Sequence, residues 1–166
     1  NWREKEKTKE KSNFMSMNAN ARTYFTNFVK SPHPQRGRKG EGNILAVDTS
    51  SRVLSVAIRA GDSTFEANLD GTPRHSEQLI GLIEDGLERL KLKKSDLDAL
   101  IWGLGPGSFT GLRIGLSMLK GFHLGLRKKS YGASSLDLIA LSSGLVSGEL
   151  AVCVDARRQH IYAAKY

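Results

Sequence analysis

The residue types with the clearest chemical potential lie in one glycine-rich segment, residues 103–113, which reads GLGPGSFTGLR. An apolar run precedes it and an amphipathic pattern follows it, which predicts a strand, a loop and the first turn of a helix. Backbone N–H groups and the positive end of the helix dipole would favour a phosphate or another anion there. The candidate anion or nucleotide ligands in this segment are Gly105, Gly107, Ser108, Thr110, Gly111 and Arg113.

The same glycines also have a purely structural interpretation. The segment lacks the Gly-Lys-Ser/Thr of a Walker A loop, and its glycine spacing differs from the dinucleotide-binding Gly-x-Gly-x-x-Gly pattern. The run Gly105-Pro106-Gly107 would form a tight turn, whereas Gly111, Gly115, Gly121 and Gly125 would let the helix pack closely on a neighbour. The sequence therefore leaves anion binding and close packing as two open alternatives for this loop.

Asp48 directly follows the apolar run Ile44-Leu45-Ala46-Val47, which predicts a carboxylate at the end of a buried strand. A carboxylate in that position can hold hydrated magnesium beside a phosphate, or it can cap the turn that follows. The next residues, Thr49-Ser50-Ser51, include no glycine that would let a phosphate approach, and this favours the turn. We expect no required cofactor, and at most weak or interface-bound ATP or ADP with magnesium.

No residue pattern predicts catalytic or metal-ligating side chains. The histidines His33, His75, His123 and His160 share no spacing that would join them into a ligand set. Ser108 stands one place too early for the Gly-x-Ser-x-Gly nucleophile elbow. The sequence therefore predicts no metal site and no locally encoded hydrolase chemistry.

The elements that must position these residues follow from the hydrophobic periodicity, which becomes strong at residue 43. It predicts three strands joined by tight turns and then alternating helices and strands, in the order βββαβαβα. This order indicates an α/β fold with a mixed sheet, as in one ribonuclease-H-like lobe. Asp48 and the glycine-rich loop both follow strands, so we expect them at the same edge of the sheet. The lobe is predicted to span residues 43–146, and residues 147–166 to form the opening hairpin of a truncated second lobe.

The first two predicted helices carry more apolar and small residues than one buried stripe requires. The first has leucine and isoleucine on a broad face from Leu79 to Leu90, and the second repeats small residues every four positions. Burial on two sides within the domain would explain this excess, and so would helix-on-helix packing against a protein partner. The residues alone leave both explanations open.

The net charge of +8 is concentrated in the first 42 residues, which hold ten Lys/Arg and four Asp/Glu. The polar composition of this extension is typical of a disordered or non-native leader. Two other interpretations are a basic arm that contacts RNA and a partner-binding segment around Tyr24, Phe25 and Phe28. Because the sequence opens on Asn1 rather than methionine, we expect it not to be a complete translation product.

Composition also limits the compartment. The single cysteine, Cys153, excludes an internal disulfide framework and suits a reducing environment. No stretch of the sequence is long and apolar enough to predict a membrane span. We therefore expect a cytoplasmic protein without a membrane partner.

Four segments together resemble the bacterial TsaB (YeaZ) family. They are ILAVDTS at residues 44–50, HSE at 75–77, GPGSFTGLRIG at 105–115 and VDARR at 154–158. The resemblance covers residues 43–166, and its glycine-rich segment is highly specific. The extension before Asn43 is unlike anything known in that family.

The resemblance implies an actin-like ATPase (ASKHA) fold and a non-catalytic role in making threonylcarbamoyladenosine (t6A) in tRNA. It implies a heterodimer with the catalytic paralogue TsaD, recruitment of the ATPase TsaE, a homodimer through the same helices when alone, and only indirect contact with tRNA. The alternatives are an ASKHA-type ATP-binding enzyme and a glycoprotease-like peptidase, although the metal-binding histidines of TsaD have no counterpart here. The implied partner surface comprises Leu79, Ile80, Ile83, Leu87, Leu90, Gly111, Gly115, Met118 and Phe122.

Overall fold

The computed structural model describes residues 42–70, 75–143 and 148–166. The first elements are three strands: β1 (Asn43–Asp48), β2 (Val53–Ala60) and β3 (Ser63–Asp70). They are followed by α1 (His75–Arg89), a 3₁₀ turn (Lys94–Asp96), β4 (Leu97–Gly103), α2 (Phe109–Leu126), β5 (Lys129–Ala133), α3 (Ser135–Ser142), β6 (Ala151–Arg157) and β7 (His160–Lys165).

The first five strands form one mixed sheet in the order β3-β2-β1-β4-β5. Strands β1, β2 and β3 pair antiparallel, whereas β4 runs parallel to β1 and β5 runs parallel to β4. Strands β6 and β7 form a separate antiparallel hairpin. The predicted α/β class, mixed sheet and element order are confirmed. The predicted boundary at residue 146 and the predicted extension, apart from residue 42, lie outside the described residues.

Alternating side chains of the strands divide the core between the two faces of the sheet. On one face, Leu45 and Val47 of β1 pack with the apolar stripe of α1 and with partly buried residues of α2. On the other face, Ala46 packs with Leu138 of α3. Helices α1 and α2 therefore cover one face of the sheet and α3 covers the other, as the alternation of side chains along a strand requires.

Helix α2 begins at Phe109 because Ser108 caps it, and β5 begins at Lys129, which pairs with Ala99 of β4. Among the described helices, none combines the length and apolarity needed to cross a bilayer.

Candidate functional site

The carboxyl ends of β1 and β4 bring Asp48 and the glycine-rich loop together. The two strands are parallel neighbours, with Val47 opposite Trp102, so Asp48 and Gly103 lie side by side where the strands end. A Cβ built on Gly103 would lie 2.3 Å from Oδ1 of Asp48, which shows how closely the carboxylate approaches the start of the loop. The prediction that both features lie at the same edge of the sheet is confirmed.

Backbone hydrogen bonds tie the loop to three neighbouring elements. The N–H of Ser108 donates to the carbonyl of Ser50 in the β1–β2 turn at 2.6 Å. The carbonyl of Gly105 accepts from the N–H of Ser135 in α3 at 2.8 Å, and the N–H of Leu104 donates to the carbonyl of Ala133 at 2.8 Å. These three polar backbone groups of the loop are therefore bonded within the chain.

Two glycines of the loop allow it to lie directly against the β1–β2 turn. A Cβ on Gly107 would lie 2.1 Å from the carbonyl oxygen of Ser50, and one on Gly111 would lie 2.0 Å from that of Thr49. The gap between loop and turn therefore cannot hold a methyl group, and a phosphate does not fit there. This geometry favours the close-packing interpretation of Gly107 and Gly111. Gly105 has a φ of +82°, which glycine adopts most readily.

The N-terminus of α2 is capped by its own chain. The side chain of Ser108 accepts from the N–H of Gly111 at 3.2 Å. Arg113 lies with its guanidinium carbon 5.5 Å from the centre of the Phe109 ring, a cation–π contact on the outside of the helix. Thr110 and Arg113 help to line an open groove of about 520 Å³ along α2, together with Ile114, Ser117 and Met118. The predicted anion ligands are thereby separated, because the loop residues face inward while Thr110 and Arg113 line this outer groove.

Asp48 organises the β1–β2 turn. Its Oδ1 accepts from the N–H of Ser50 at 2.8 Å, and the hydroxyl of Ser135 donates to the hydroxyl of Ser50 at 2.8 Å. Burial raises the pKa of the Asp48 carboxyl above its usual range, while hydrogen bonds from Ser50 and Ser135 act in the opposite direction. These contacts fit the turn-forming role of Asp48, because the bonded carboxylate oxygen already serves the turn.

Two buried polar atoms beside the loop have no hydrogen-bond partner among the described residues. They are Oγ1 of Thr49 and Nε1 of Trp102. Both lie against Gly115, because a Cβ there would come 2.4 Å from the threonine oxygen and 2.9 Å from the indole nitrogen. No sequence pattern pairs these residues, because Thr49 follows one apolar run, Trp102 ends another, and only the fold brings them together.

The predicted partner residues separate into buried and exposed groups. Leu79, Ile83 and Leu87 of α1 face the sheet and are 0–4% exposed, so they hold the helix in place rather than offer a contact surface. Gly111 and Gly115 are also buried, against the β1–β2 turn and Trp102. This is a correction to the sequence-based set, because these five positions form contacts inside the chain.

Other members of the predicted set remain accessible. Ile80 of α1 is 43% exposed. Leu90, Met118 and Phe122 are partly buried against the core, and the Phe122 ring lies 6.3 Å from that of Trp102. A contact of these residues with a partner stays a prediction.

Helix α2 also exposes residues that the predicted set omitted. Leu116 is 46% exposed and Leu124 is 77% exposed. Cβ atoms added at Gly121 and Gly125 would meet no other part of the described chain within 4 Å. A helical projection anchored on Gly111 and Gly115 would have placed Leu116 and Leu124 away from the core. We use the term outer helix surface for Ile80, Thr110, Ile114, Ser117, Met118, Gly121, Leu124 and Gly125.

Within the described ranges, no group of three or more His, Cys, Asp or Glu side chains is arranged to hold a metal ion. His123 instead contacts the carbonyl of Lys128 and the hydroxyl of Ser130, both at 3.1 Å from its Nδ1. Cys153 is a free, exposed thiol on β6.

The mixed five-stranded sheet with helices on both faces defines an actin-like, ribonuclease-H-like fold of the ASKHA type. The structure of YeaZ from Pseudomonas aeruginosa superposes with a TM-score of 0.70 at 28% identity, over 76% of this chain and 60% of that one. Residues 71–166 match the family model described as "TsaD: tRNA N6-adenosine threonylcarbamoyltransferase".

Sequence relatives agree with this structural likeness. The chain is 36% identical over 126 residues to the tRNA threonylcarbamoyladenosine biosynthesis protein TsaB of Escherichia coli, covering 74% of this chain and 54% of that protein. It is 29% identical over 124 residues to the protein of the same name in Bacillus subtilis, covering 74% and 54%. The chain therefore belongs to the TsaB (YeaZ) family, and it spans about half the length of these relatives.

Proposed function

We propose that this chain acts in tRNA t6A synthesis as a non-catalytic subunit that binds TsaD through its outer helix surface. In this proposal the pair helps to recruit the ATPase TsaE, and tRNA is reached through the complex in the cytoplasm. When TsaD is absent, the same helices would form a homodimer. Family membership supports the pathway, because curated relatives carry the name of t6A biosynthesis proteins.

The observation that carries the proposal is the accessible side of α2. Gly121 and Gly125 face open space one turn apart, beside the exposed Leu124. Glycines on an exposed helix side cost stability relative to alanine, but they allow another helix to approach closely. Exposed leucine and isoleucine flanking such a side provide apolar area for a protein contact. This combination is suited to packing against a helix of a partner.

The contacts that the glycine-rich loop makes within the chain support the non-catalytic part of the proposal. Ser108, Gly105 and Gly111 make their polar contacts with the chain itself, and no phosphate fits between the loop and the β1–β2 turn. The proposal therefore requires no cofactor. Any ATP or ADP bound with magnesium at the interface would have to use outer groups such as Thr110 and Arg113, which line the groove along α2.

The decisive experiment replaces exposed apolar residues on the two helices. Ile80→Glu and Leu124→Glu should each weaken association with purified TsaD of the same organism by about tenfold or more, because each would place a charge in an apolar contact. Association is measured by light scattering and t6A formation by nucleoside analysis. Leu79→Glu is unsuitable, because that side chain is fully buried and its replacement would unfold the chain.

Ile161→Glu is the matched control, because Ile161 is 65% exposed on β7 and lies outside both helices. It should leave association with TsaD and the folded state unchanged. Equal association in the wild type and both helix variants would contradict the proposed interface. Calorimetry with ATP and magnesium addresses the enzyme alternative: tight binding that is lost in Asp48→Ala would contradict the non-catalytic role, as would peptide hydrolysis by the isolated chain.

A further inference from the structure

Two helix-to-strand connections lie at one end of the sheet. Helices α1 and α2 lead back to the amino-terminal ends of β4 and β5, and these strands are parallel neighbours. Because adjacent strands lie about 4.8 Å apart, the connection after α1 and the connection after α2 lie beside each other. Leu90, Leu92 and Leu126 pack on the same core cluster and anchor both connections on the same face.

These connections carry cations without carboxylate partners. Within the described ranges, Lys91 and Lys93 after α1, and Arg127, Lys128 and Lys129 after α2, form no ion pair. All of them are exposed except Lys128, which is partly buried. Neighbouring cations on α1 and the 3₁₀ turn behave differently, since Arg89 pairs with Asp85 and Lys94 with Glu84. We call the five unpaired residues the basic end.

Carboxylates also lie near the basic end on its α1 side. Oδ2 of Asp96 accepts from the N–H of Lys93 at 2.8 Å, and Oδ2 of Asp98 accepts from the N–H of Asn43 at 2.7 Å. Glu88 is exposed in the last turn of α1. The α2 side has no such neighbour in sequence, because residues 99–136 contain five Lys/Arg and no Asp or Glu. The charged residues of this segment are therefore all cationic.

We propose that the basic end contacts the phosphate backbone of RNA, specifically tRNA. This inference rests on the proposed function, which brings the chain close to tRNA and so favours RNA over an anionic membrane. Clustered lysines and arginines bind nucleic acid by neutralising phosphates and releasing counterions, without reading the sequence. The basic end shares no residue with the outer helix surface.

The test compares two triple variants of the full chain that lose the same net charge. Lys91→Gln/Lys93→Gln/Lys129→Gln removes cations from the basic end, and Arg52→Gln/Arg158→Gln/Lys165→Gln removes exposed cations from elsewhere. Binding to an unmodified tRNA transcript is measured between about 50 mM and about 200 mM salt. The first variant should bind about tenfold more weakly at low salt, with a salt slope reduced by about 2, whereas the second should resemble the wild type.

Thermal unfolding of each variant accompanies the binding series, because cations at helix C-termini also stabilise helices. Equal losses of affinity in the two variants, or no loss in either, would overturn the proposal. Stronger binding to phosphatidylserine vesicles than to tRNA at the same salt would do so as well. Association with TsaD is measured on the same proteins. If the chain binds TsaD but not tRNA, only this inference fails. If the chain binds tRNA but not TsaD, only the proposed function fails.

Discussion

Helix α2 contains two pairs of glycines with the same spacing and opposite surroundings. Gly111 and Gly115 lie against the β1–β2 turn and Trp102, where an added Cβ would come within 2.0–2.9 Å of another atom. A Cβ added at Gly121 or Gly125 would meet no other part of the described chain within 4 Å. The inner pair, Gly111 and Gly115, lets the helix approach its own sheet. The outer pair, Gly121 and Gly125, leaves two exposed positions of the helix without a Cβ atom. One sequence pattern therefore serves two different purposes in the same helix.

The largest expected effect comes from filling the inner position. Gly111→Ala should lower the free energy of unfolding by about 3 kcal/mol or more, because its Cβ would lie 2.0 Å from the backbone carbonyl of Thr49, which cannot move aside. Urea unfolding followed by circular dichroism measures the change. Unchanged stability in this variant would show that the loop and the turn are not in close contact. The two glycine pairs would then not have opposite surroundings.

A smaller effect of opposite sign is expected beside Gly115. Thr49→Val should raise the free energy of unfolding by about 1 kcal/mol, because valine has nearly the same shape and removes a buried hydroxyl that has no hydrogen-bond partner. The midpoint of urea unfolding reports this change. A loss of stability would instead reveal a hydrogen-bond partner for the hydroxyl, such as a bound water. The packing of the β1–β2 turn against Gly115 would then be looser than the distances indicate.

The carboxyl at the same edge gives a dependence on pH. Burial raises the folded-state pKa of Asp48, so the folded chain holds this proton more tightly than the unfolded chain does. The corresponding stability is present below the unfolded pKa and is lost as pH rises through the folded pKa. Asp48→Asn should therefore gain stability relative to the wild type between acidic and neutral pH. Parallel urea titrations at both pH values measure this, and a constant difference between the two proteins would contradict it.

The sequence predicted only part of the contact between the glycine-rich loop and the β1–β2 turn. The strand-loop-helix pattern placed Asp48 and the glycine-rich loop at one edge of the sheet, because parallel strands end together. It left open whether the loop holds an anion, since its contacts with Ser50 and Ser135 join residues far apart in the chain. Long-range packing of this kind has no local signal.

Helix α1 shows the same limit for the partner surface. Its apolar face is broader than one buried stripe requires, but Leu79, Ile83 and Leu87 are buried in the core and Ile80 remains accessible. Periodicity identifies which residues share a helix side. It does not determine how wide a stripe the sheet will cover, because that depends on the neighbouring helix and on the twist of the strands.

The smallest effect is expected at the outer pair, where two readouts should move in opposite directions. Gly121→Ala should raise the free energy of unfolding of the isolated chain by about 0.5–1 kcal/mol, because alanine favours a helix and its Cβ meets open space. The same change should weaken association with TsaD, because the added methyl separates helices that pack through glycine. Denaturant unfolding and light scattering on one preparation measure both quantities. If stability rises while association is unaffected, the exposed glycines are not part of the contact. The interface must then depend on Ile80 and Leu124 without these glycines.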